Sequence, residues 1–310
     1  MRSADSGTLA GMKVGLLLPL SDDDGSGAPA WPAIRDLARQ AEAGGIDSLW
    51  IYDHLVFRLG GEATGIHEAW TVLTAVATAT ERVEIGAIVL SASFRNPALL
   101  AKMASTLDTI CGGRLILGLG CGWHEPEYTA FGYPFDHRVA RFDEALRIIG
   151  PLLREGRVTY EGTYHRAIDC EILPRGPRLA GPPIMVAARG ERMLGLAAEH
   201  ADLWNTAWFG LPDGRLVQRL GAMRAACEAI GREPATLGVT VGVTVKAEPE
   251  EAWGRPGASA ALVAEPQVIA DALNAYAALG IAHVQLDVQP ATPTTFAAVL
   301  DGLARHRAIA

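Results

Sequence analysis

The chain has 310 residues, of which 49% are hydrophobic, and its formal net charge is −8. This hydrophobic content excludes global disorder, and the absence of lysine or arginine blocks argues against nucleic acid as a partner. The four cysteines contain no C-x-x-C pair, so we expect neither a disulfide framework nor a metal site. No apolar run reaches the ~18 residues of a membrane span, and we expect a cytoplasmic protein.

The first residues differ in character from the rest. Residues 1–11 contain an early arginine but no apolar central region, so they do not resemble a signal peptide and are predicted to be a disordered leader. Residues 12–310 are predicted to form a single domain, because an α/β barrel typically needs ~250 residues.

Apolar strands and amphipathic helices alternate along the chain. The predicted strands are 13–18, 48–52, 83–90, a fourth that starts with the apolar run 115–117, then 184–188, 203–206, 237–245 and 283–288. Helical periodicity follows each strand, at 31–43, 68–80, 97–110, 142–153, 190–200, 216–230, 266–279 and 294–306. This alternation predicts a parallel sheet. A doubly wound open sheet is the alternative, but eight strands favour a closed (β/α)₈ TIM barrel.

A long connection follows the helix after strand four. Residues 156–183 contain several glycines and prolines and exceed the length of an ordinary loop between a helix and a strand. We interpret the connection as an insertion and expect it to cover the mouth of the barrel.

The fourth strand ends in glycines at alternate positions, Gly118, Gly120 and Gly122. Glycine at a strand end allows a flat ligand to approach the backbone, because no side chain intervenes. A tight turn between strand and helix is the alternative. Two acids follow, Glu125 and Glu127, which we interpret as acids favoured at a helix start rather than as a paired acid and base.

Other candidate residues follow strands two, five and six, and the carboxyl ends of barrel strands meet at one face. His54 is a candidate acid or base, or else a loop histidine bonded to the backbone. The turn 188–191 offers backbone amides and Arg189 to a phosphate, although an ordinary junction would look the same. Trp123 and Trp208 are candidates for packing against a substrate or cofactor ring.

Three segments together resemble the bacterial luciferase-like monooxygenase superfamily. They are SLWIYDHL, RNPALLAKMASTLD and GRLILGLGCGWHEPEYTAFGYPF. Within that superfamily the chain is similar to the branch that depends on the deazaflavin coenzyme F420. The resemblance implies a TIM barrel, a deazaflavin or flavin mononucleotide (FMN) in its mouth, and a homodimer.

The resemblance also implies roles for individual residues. His54 would lie beside the reactive ring as the catalytic residue, next to Asp53 as a cofactor contact. The Ile88–Val89 position matches a non-prolyl cis peptide that backs the ring. The remaining implied cofactor contacts are Ser91, Gly120, Cys121 and Gly122, together with Ala187, Ala188, Arg189 and Gly190 as the phosphate loop.

Two positions depart from the sugar-phosphate dehydrogenases of this group. Those enzymes have glutamates where this chain has Ser21 and Trp123, which places a sugar-phosphate substrate in question. In contrast, the Ala-Ala-Arg-Gly sequence after strand five is closer to the deazaflavin dehydrogenases than to relatives with Gly-Gly-x-Gly.

The function that this resemblance implies is hydride transfer between F420 and a small organic substrate, with His54 moving the accompanying proton. One alternative is a monooxygenase that uses reduced FMN and oxygen. A second is a non-catalytic flavin- or deazaflavin-binding protein, and a third is an unrelated phosphate-binding barrel isomerase.

Overall fold

The computed structural model describes residues 11–22, 27–58, 62–252 and 259–309. Within these ranges eight strands form one parallel barrel. They are Lys13–Leu17 (β1), Ser48–Ile51 (β2), Glu84–Ala87 (β3), Leu115–Gly120 (β4), Ile184–Ala187 (β5), Leu203–Phe209 (β6), Gly238–Lys246 (β7) and His283–Gln289 (β8). The predicted leader falls, apart from Gly11, outside the described residues and stays a prediction.

The sheet closes on itself. Each strand pairs in parallel with the next, including β4 with β5, and β8 pairs with β1 where Lys13 lies opposite His283. The prediction of a closed (β/α)₈ barrel is therefore confirmed, and the open-sheet alternative is excluded.

Helices cover the outside of the barrel. They are Trp31–Ala43 (α1), Ala69–Ala79 (α2), Pro97–Ile110 (α3), Glu125–Phe131 (α4), Arg138–Arg154 (α5), Glu191–His200 (α6), Gly214–Ala229 (α7), Pro266–Ala278 (α8) and Pro293–Arg307 (α9). Several helices begin at residues that satisfy the backbone amides of a first helical turn. Asn96 caps α3 by accepting hydrogen bonds from the amides of Ala98 and Leu99, with Pro97 in the first turn. None of the described helices is long and apolar enough to cross a membrane.

The third strand departs from its predicted course. Gly86 lies opposite Ile116 and Leu90 opposite Leu119, so four steps along one strand match three along β4. This excess residue is a β-bulge, and the Ile88–Val89 peptide within it is cis, as the resemblance implied. The prediction of a regular strand over residues 83–90 was therefore wrong at its carboxyl end. There a short strand of two residues, Leu90–Ser91, resumes the pairing.

Two apolar layers hold the barrel. Most buried side chains lie between the strands and the helices, while a smaller cluster fills the barrel interior. That interior cluster comprises Leu17, Trp50, Ile88, Ile116 and Met185, with Val89 and Trp208 packed against it. It forms an apolar floor beneath the mouth of the barrel.

The long connection after α5 forms an antiparallel hairpin, Arg157–Glu161 paired with Arg166–Glu171, which we call the flank hairpin. Glu144 of α5 accepts hydrogen bonds from three backbone amides of its turn, those of Thr163, Tyr164 and His165. Its described hydrogen bonds thus attach it to the side of the barrel. The expectation that this insertion covers the mouth stays a prediction, because Glu144 lies in the amino-terminal half of α5, the half that follows the carboxyl end of β4.

The end of this connection supplies a buried ion pair. Arg178 bonds to the carboxylate of Asp108, whose side chain is 0% exposed, and also donates to the carbonyl of Leu115 at the start of β4. We expect Arg178→Gln to lower the free energy of unfolding by about 3 kcal/mol, because a buried carboxylate loses its partner. Urea denaturation would measure the change.

A matched control lies on the flank hairpin. Arg166 pairs with Glu161 at the surface, where both side chains are mostly exposed. Arg166→Gln should cost less than about 1 kcal/mol. Equal losses in the two variants would contradict a stabilising role for the Asp108 pair.

Candidate functional site

The candidate residues converge at the carboxyl end of the barrel. β4 and β5 are neighbours, with Leu119 opposite Val186, so the next residues along, Gly120 and Ala187, lie side by side. The glycine stretch and the predicted phosphate turn are therefore adjacent, as a single ligand spanning both would require.

His54 follows β2 and is held by a buried carboxylate. Its Nδ1 lies 2.9 Å from Oε1 of Glu127, and the other oxygen of Glu127 accepts the amide of Leu55 at 2.9 Å. Glu127 is 1% exposed. A carboxylate can only accept, so Nδ1 of His54 carries the proton and Nε2 is the atom left for exchange.

Aromatic rings surround this histidine. Phe57 lies 4.1 Å from the His54 ring between centroids, and Trp123 meets it edge-on at 5.6 Å. Trp123 is 44% exposed, so it lies at the open side of the site. Trp123 therefore lies beside the candidate catalytic residue, and its packing against a substrate or cofactor ring stays a prediction.

A second histidine supports the loop over this site. The buried Nε2 of His124 accepts the amide of Arg58 at 3.2 Å, within a short hairpin formed by Phe57–Arg58 and Ala63–Thr64. Burial lowers the pKa of His124, and the charge of His54 lowers it further against the opposing effect of Glu127. Neutral His124 therefore docks this segment.

The carboxylate of Asp53 forms hydrogen bonds within the protein. Its carboxylate accepts the amide of Ser91 at 2.9 Å and the guanidinium of Arg95 at 2.7 Å, and its side chain is 0% exposed. Arg95 also reaches Glu68. Asp53 therefore holds the segment after the bulge in place, and this arrangement differs from the cofactor contact predicted for it.

The bulge and β6 together supply the apolar floor. Ile88 is 7% exposed within the interior cluster, and Val89 and Trp208 pack against it. The Trp208 ring lies on β7, where a Cβ at Gly242 would come within 2.7 Å of it. The Ala207–Trp208 peptide is cis, a feature that the sequence analysis did not predict.

The alternate glycines accommodate the chain itself. A Cβ at Gly118 would lie 1.9 Å from the carbonyl oxygen of Ala87, one at Gly120 would lie 2.7 Å from Val89, and one at Gly122 would lie 1.7 Å from the hydroxyl of Tyr128. Contact of Gly120 and Gly122 with a cofactor stays a prediction. Gly118 and Gly120 let β4 approach the bulge and thereby shape the floor, while Gly122 makes room for Tyr128.

Ser91, Cys121 and Gly122 are joined through one tyrosine. The hydroxyl of Tyr128 lies 2.8 Å from the Ser91 hydroxyl and donates to the carbonyl of Cys121 at 3.2 Å. Burial raises the pKa of the Cys121 thiol, which keeps it protonated at neutral pH. Cys121 is therefore a small packing residue rather than a nucleophile.

The predicted phosphate turn starts helix α6. Gly190 is its N-cap with φ 74°, and a Cβ there would meet no atom within 4 Å, so the space beside it is open. Ala188 is tied to β6, since its carbonyl accepts the indole N–H of Trp204 at 3.2 Å. The first-turn amides of a helix lack partners within that helix and attract anions.

Basic side chains stand beside this turn. Arg189 and Arg219 both donate to the carbonyl of Ala207, and Arg219 also donates to the hydroxyl of Thr206 at 2.8 Å. Burial, with the charges of Arg189 and Arg215, lowers the pKa of Arg219 to about 10. An apolar floor with an anion-attracting rim fits a flat ring that carries an anionic chain.

Among the described residues no group of His, Cys, Asp or Glu is arranged to hold a metal ion. The arrangement instead suits an organic cofactor or substrate. His54 offers one exchangeable position, and the rim offers positive charge. Tyr52 packs against the interior cluster, and its ring centroid lies 6.3 Å from that of His54.

Several of these residues escaped the sequence analysis. Glu127 was interpreted as a helix-start acid; it does lie in the first turn of α4, yet it also binds His54. Tyr128, Arg95 and Arg219 gave no signal, because their partners Ser91, Asp53 and Thr206 lie 37, 42 and 13 residues away. The Ala207–Trp208 cis peptide has no sequence signature either.

The comparisons with known proteins agree with the fold. The family model for luciferase-like monooxygenase matches residues 12–255. Since that match spans well over half of the chain, the protein belongs to the luciferase-like monooxygenase family.

Two curated relatives are similar in sequence. An F420-dependent glucose-6-phosphate dehydrogenase from Kineococcus radiotolerans is 35% identical over 226 residues, covering 71% of this chain and 65% of the relative. A phthiodiolone/phenolphthiodiolone dimycocerosates ketoreductase from a Mycobacterium species is 31% identical over 237 residues, covering 69% and 62%. The matched region thus spans less than two thirds of either relative.

A solved structure shares the architecture. An F420-dependent secondary alcohol dehydrogenase in complex with an F420–acetone adduct superposes with a TM-score of 0.78, covering 96% of this chain and 99% of that one. Its sequence identity is 17%, so the likeness establishes the common barrel fold.

The Glu127 carboxylate should determine the tautomer of His54. In protein labelled with ¹⁵N at histidine, we expect the His54 proton on Nδ1 at pH 8, and a shift towards Nε2 in Glu127→Gln. The exposed Glu125 of the same helical turn provides the control Glu125→Gln. An unchanged tautomer in Glu127→Gln would show that the carboxylate does not orient the ring.

Proposed function

We propose that this protein is an oxidoreductase that transfers a hydride between coenzyme F420 and a small organic substrate carrying an alcohol or a carbonyl. The observation that carries the proposal is His54, held by Glu127 beside the apolar floor, with the anion-attracting turn on the same rim. The names of the relatives, two F420-dependent dehydrogenases and a ketoreductase, support the cofactor and the substrate class.

Distinct residues would hold the two ends of the cofactor. The bulge at Ile88 and Val89 would back the ring, and the turn at Ala188–Gly190 would receive the phosphate through first-turn amides. When bound, F420 supplies a carbon centre that accepts or gives up a hydride. The protein contributes placement and a water-poor apolar surface.

His54 would move the proton that accompanies the hydride. As an alcohol is oxidised, its carbon loses a hydride and its hydroxyl proton passes to Nε2 of His54, leaving a carbonyl. The carboxylate of Glu127 stabilises the imidazolium that forms, since the opposite charge lies 2.9 Å from Nδ1. In the reverse direction His54 returns the proton to the carbonyl oxygen.

The open side of the site would receive the substrate. Trp123 lies edge-on to His54, and it occupies one of the positions where the resembled sugar-phosphate dehydrogenases have glutamate. At the other such position, the hydroxyl of Ser21 lies 2.8 Å from that of Tyr52. Because neither residue is acidic, we propose that Glu127 and His54 alone manage the proton, and that Trp123 packs against the organic part of the substrate. We also propose the homodimer that the resemblance implied.

Titration of the purified protein with each cofactor tests the assignment. Quenching of the fluorescence of its seven tryptophans should give a dissociation constant for F420 at least ~10-fold lower than for FMN. Tighter binding of FMN with consumption of oxygen would instead favour the monooxygenase. Binding of F420 that no alcohol can reduce would favour a non-catalytic role.

Replacement of His54 tests the mechanism. We expect His54→Asn to lower kcat by about 100-fold, the lower end of general acid–base contributions, while the dissociation constant for F420 changes by less than about 2-fold. The exposed His137 is outside the site and allows the matched control His137→Asn, since asparagine tolerates its φ of 51°. Equal turnover in wild type and His54→Asn would remove His54 from the mechanism.

A further inference from the structure

Three arginines from two parts of the chain meet at the rim. Arg189 follows β5, while Arg215 and Arg219 lie in the first turns of α7. Arg189 and Arg219 share the carbonyl of Ala207 as acceptor, and Arg215 and Arg219 lie over the ring of Phe209 at 5.8 and 4.9 Å. We call these three residues the arginine cluster.

Among the described residues, more positive than negative groups act on Arg219. The charged groups that act on Arg219 are Arg189, Arg215 and one carboxylate, Asp213. Asp213 is itself occupied, because it pairs with Arg215 at 2.9 Å and accepts the hydroxyl of Ser259 at 2.8 Å. Arg219 bonds only to neutral oxygens and forms no ion pair with any described residue.

Grouping three guanidinium cations raises the free energy of the folded chain. Like charges repel, and partial burial strengthens the repulsion because less water screens it. The chain has a net charge of −8, so acidic residues are plentiful in it. A shortage of acids therefore does not explain why these arginines lie together. The fold holds the guanidiniums together through Phe209 and the Ala207 carbonyl, which is the arrangement expected where an anionic group completes the set.

The arginine cluster lies outside the apolar floor on which the cofactor ring is proposed to lie. Arg219 contacts Thr206 and Phe209, and Phe209 belongs to the layer between strands and helices rather than to the interior floor. The cluster nevertheless adjoins Gly190 through Arg189. An anion bound there would therefore belong to the far end of a ligand whose phosphate lies at the α6 turn.

We propose that Arg189, Arg215 and Arg219 form a second anion site, which binds carboxylates of the chain that F420 carries beyond its phosphate. The proposal rests on the proposed function. Guanidinium groups bind carboxylates through paired, charge-assisted hydrogen bonds. Because FMN ends at its phosphate, this site would also favour F420 over FMN.

Truncated cofactors separate the contributions. We would titrate wild type, Arg219→Gln and the control Arg224→Gln with F420, with the deazaflavin 5′-phosphate and with the deazaflavin riboside. Arg224 is an exposed arginine of the same helix. Arg219→Gln should weaken F420 by about 10-fold and the two truncated ligands by less than about 2-fold, and Arg224→Gln should change none of them. Added salt should weaken F420 binding less steeply in Arg219→Gln than in wild type.

The other outcomes overturn the proposal in distinguishable ways. An equal loss for F420 and the 5′-phosphate would assign the cluster to the phosphate. An equal loss for all three ligands would indicate damage to the fold, and Arg219→Lys, which keeps the charge, then decides between the possibilities. If Arg219→Lys binds F420 no better than Arg219→Gln does, the site is rejected. If Arg219→Lys recovers affinity for F420 alone, the site is supported. Unchanged F420 binding in Arg219→Gln rejects only the second anion site. The proposed function still stands in that case if wild type binds the riboside. Failure of wild type to bind either the riboside or F420 overturns both.

Discussion

The close approach of β3 and β4 governs the rest of the site. At Gly118 the two backbones are so near that a single added carbon would collide with the carbonyl of Ala87. Beyond this contact the chain after Ala87 leaves the sheet and rejoins it one residue late, which brings Ile88 and Val89 to the interior cluster. The apolar floor therefore depends on two glycines of the neighbouring strand, Gly118 and Gly120.

Buried acids set the positions of the polar groups around that floor. Asp53 fixes the amide of Ser91 at the end of the bulge, and Glu127 fixes His54. Both carboxylates are almost entirely removed from water, so each must be matched by hydrogen-bond donors to remain charged. The network thus acts as a scaffold that leaves one ring nitrogen of His54 available for chemistry.

The sequence allowed the barrel, its strand order and the location of the site to be predicted, because these depend on local periodicity and on the rule that strand ends converge. The partners of individual side chains could not be predicted. Glu127 looked like any acid at a helix start, since nothing near it in sequence reveals a histidine 73 residues earlier. The resemblance implied a cofactor contact for Asp53, and nothing near it in sequence reveals Arg95, which lies 42 residues away.

The flank hairpin is attached mainly through its own main chain. Glu144 receives three successive backbone N–H groups, and such groups are present whatever side chains the turn carries. Residues of the turn can therefore be exchanged while the anchoring carboxylate keeps its donors. This surface is accordingly a place where related chains can diverge, for instance in what they recognise, without altering the carboxylate that holds His54.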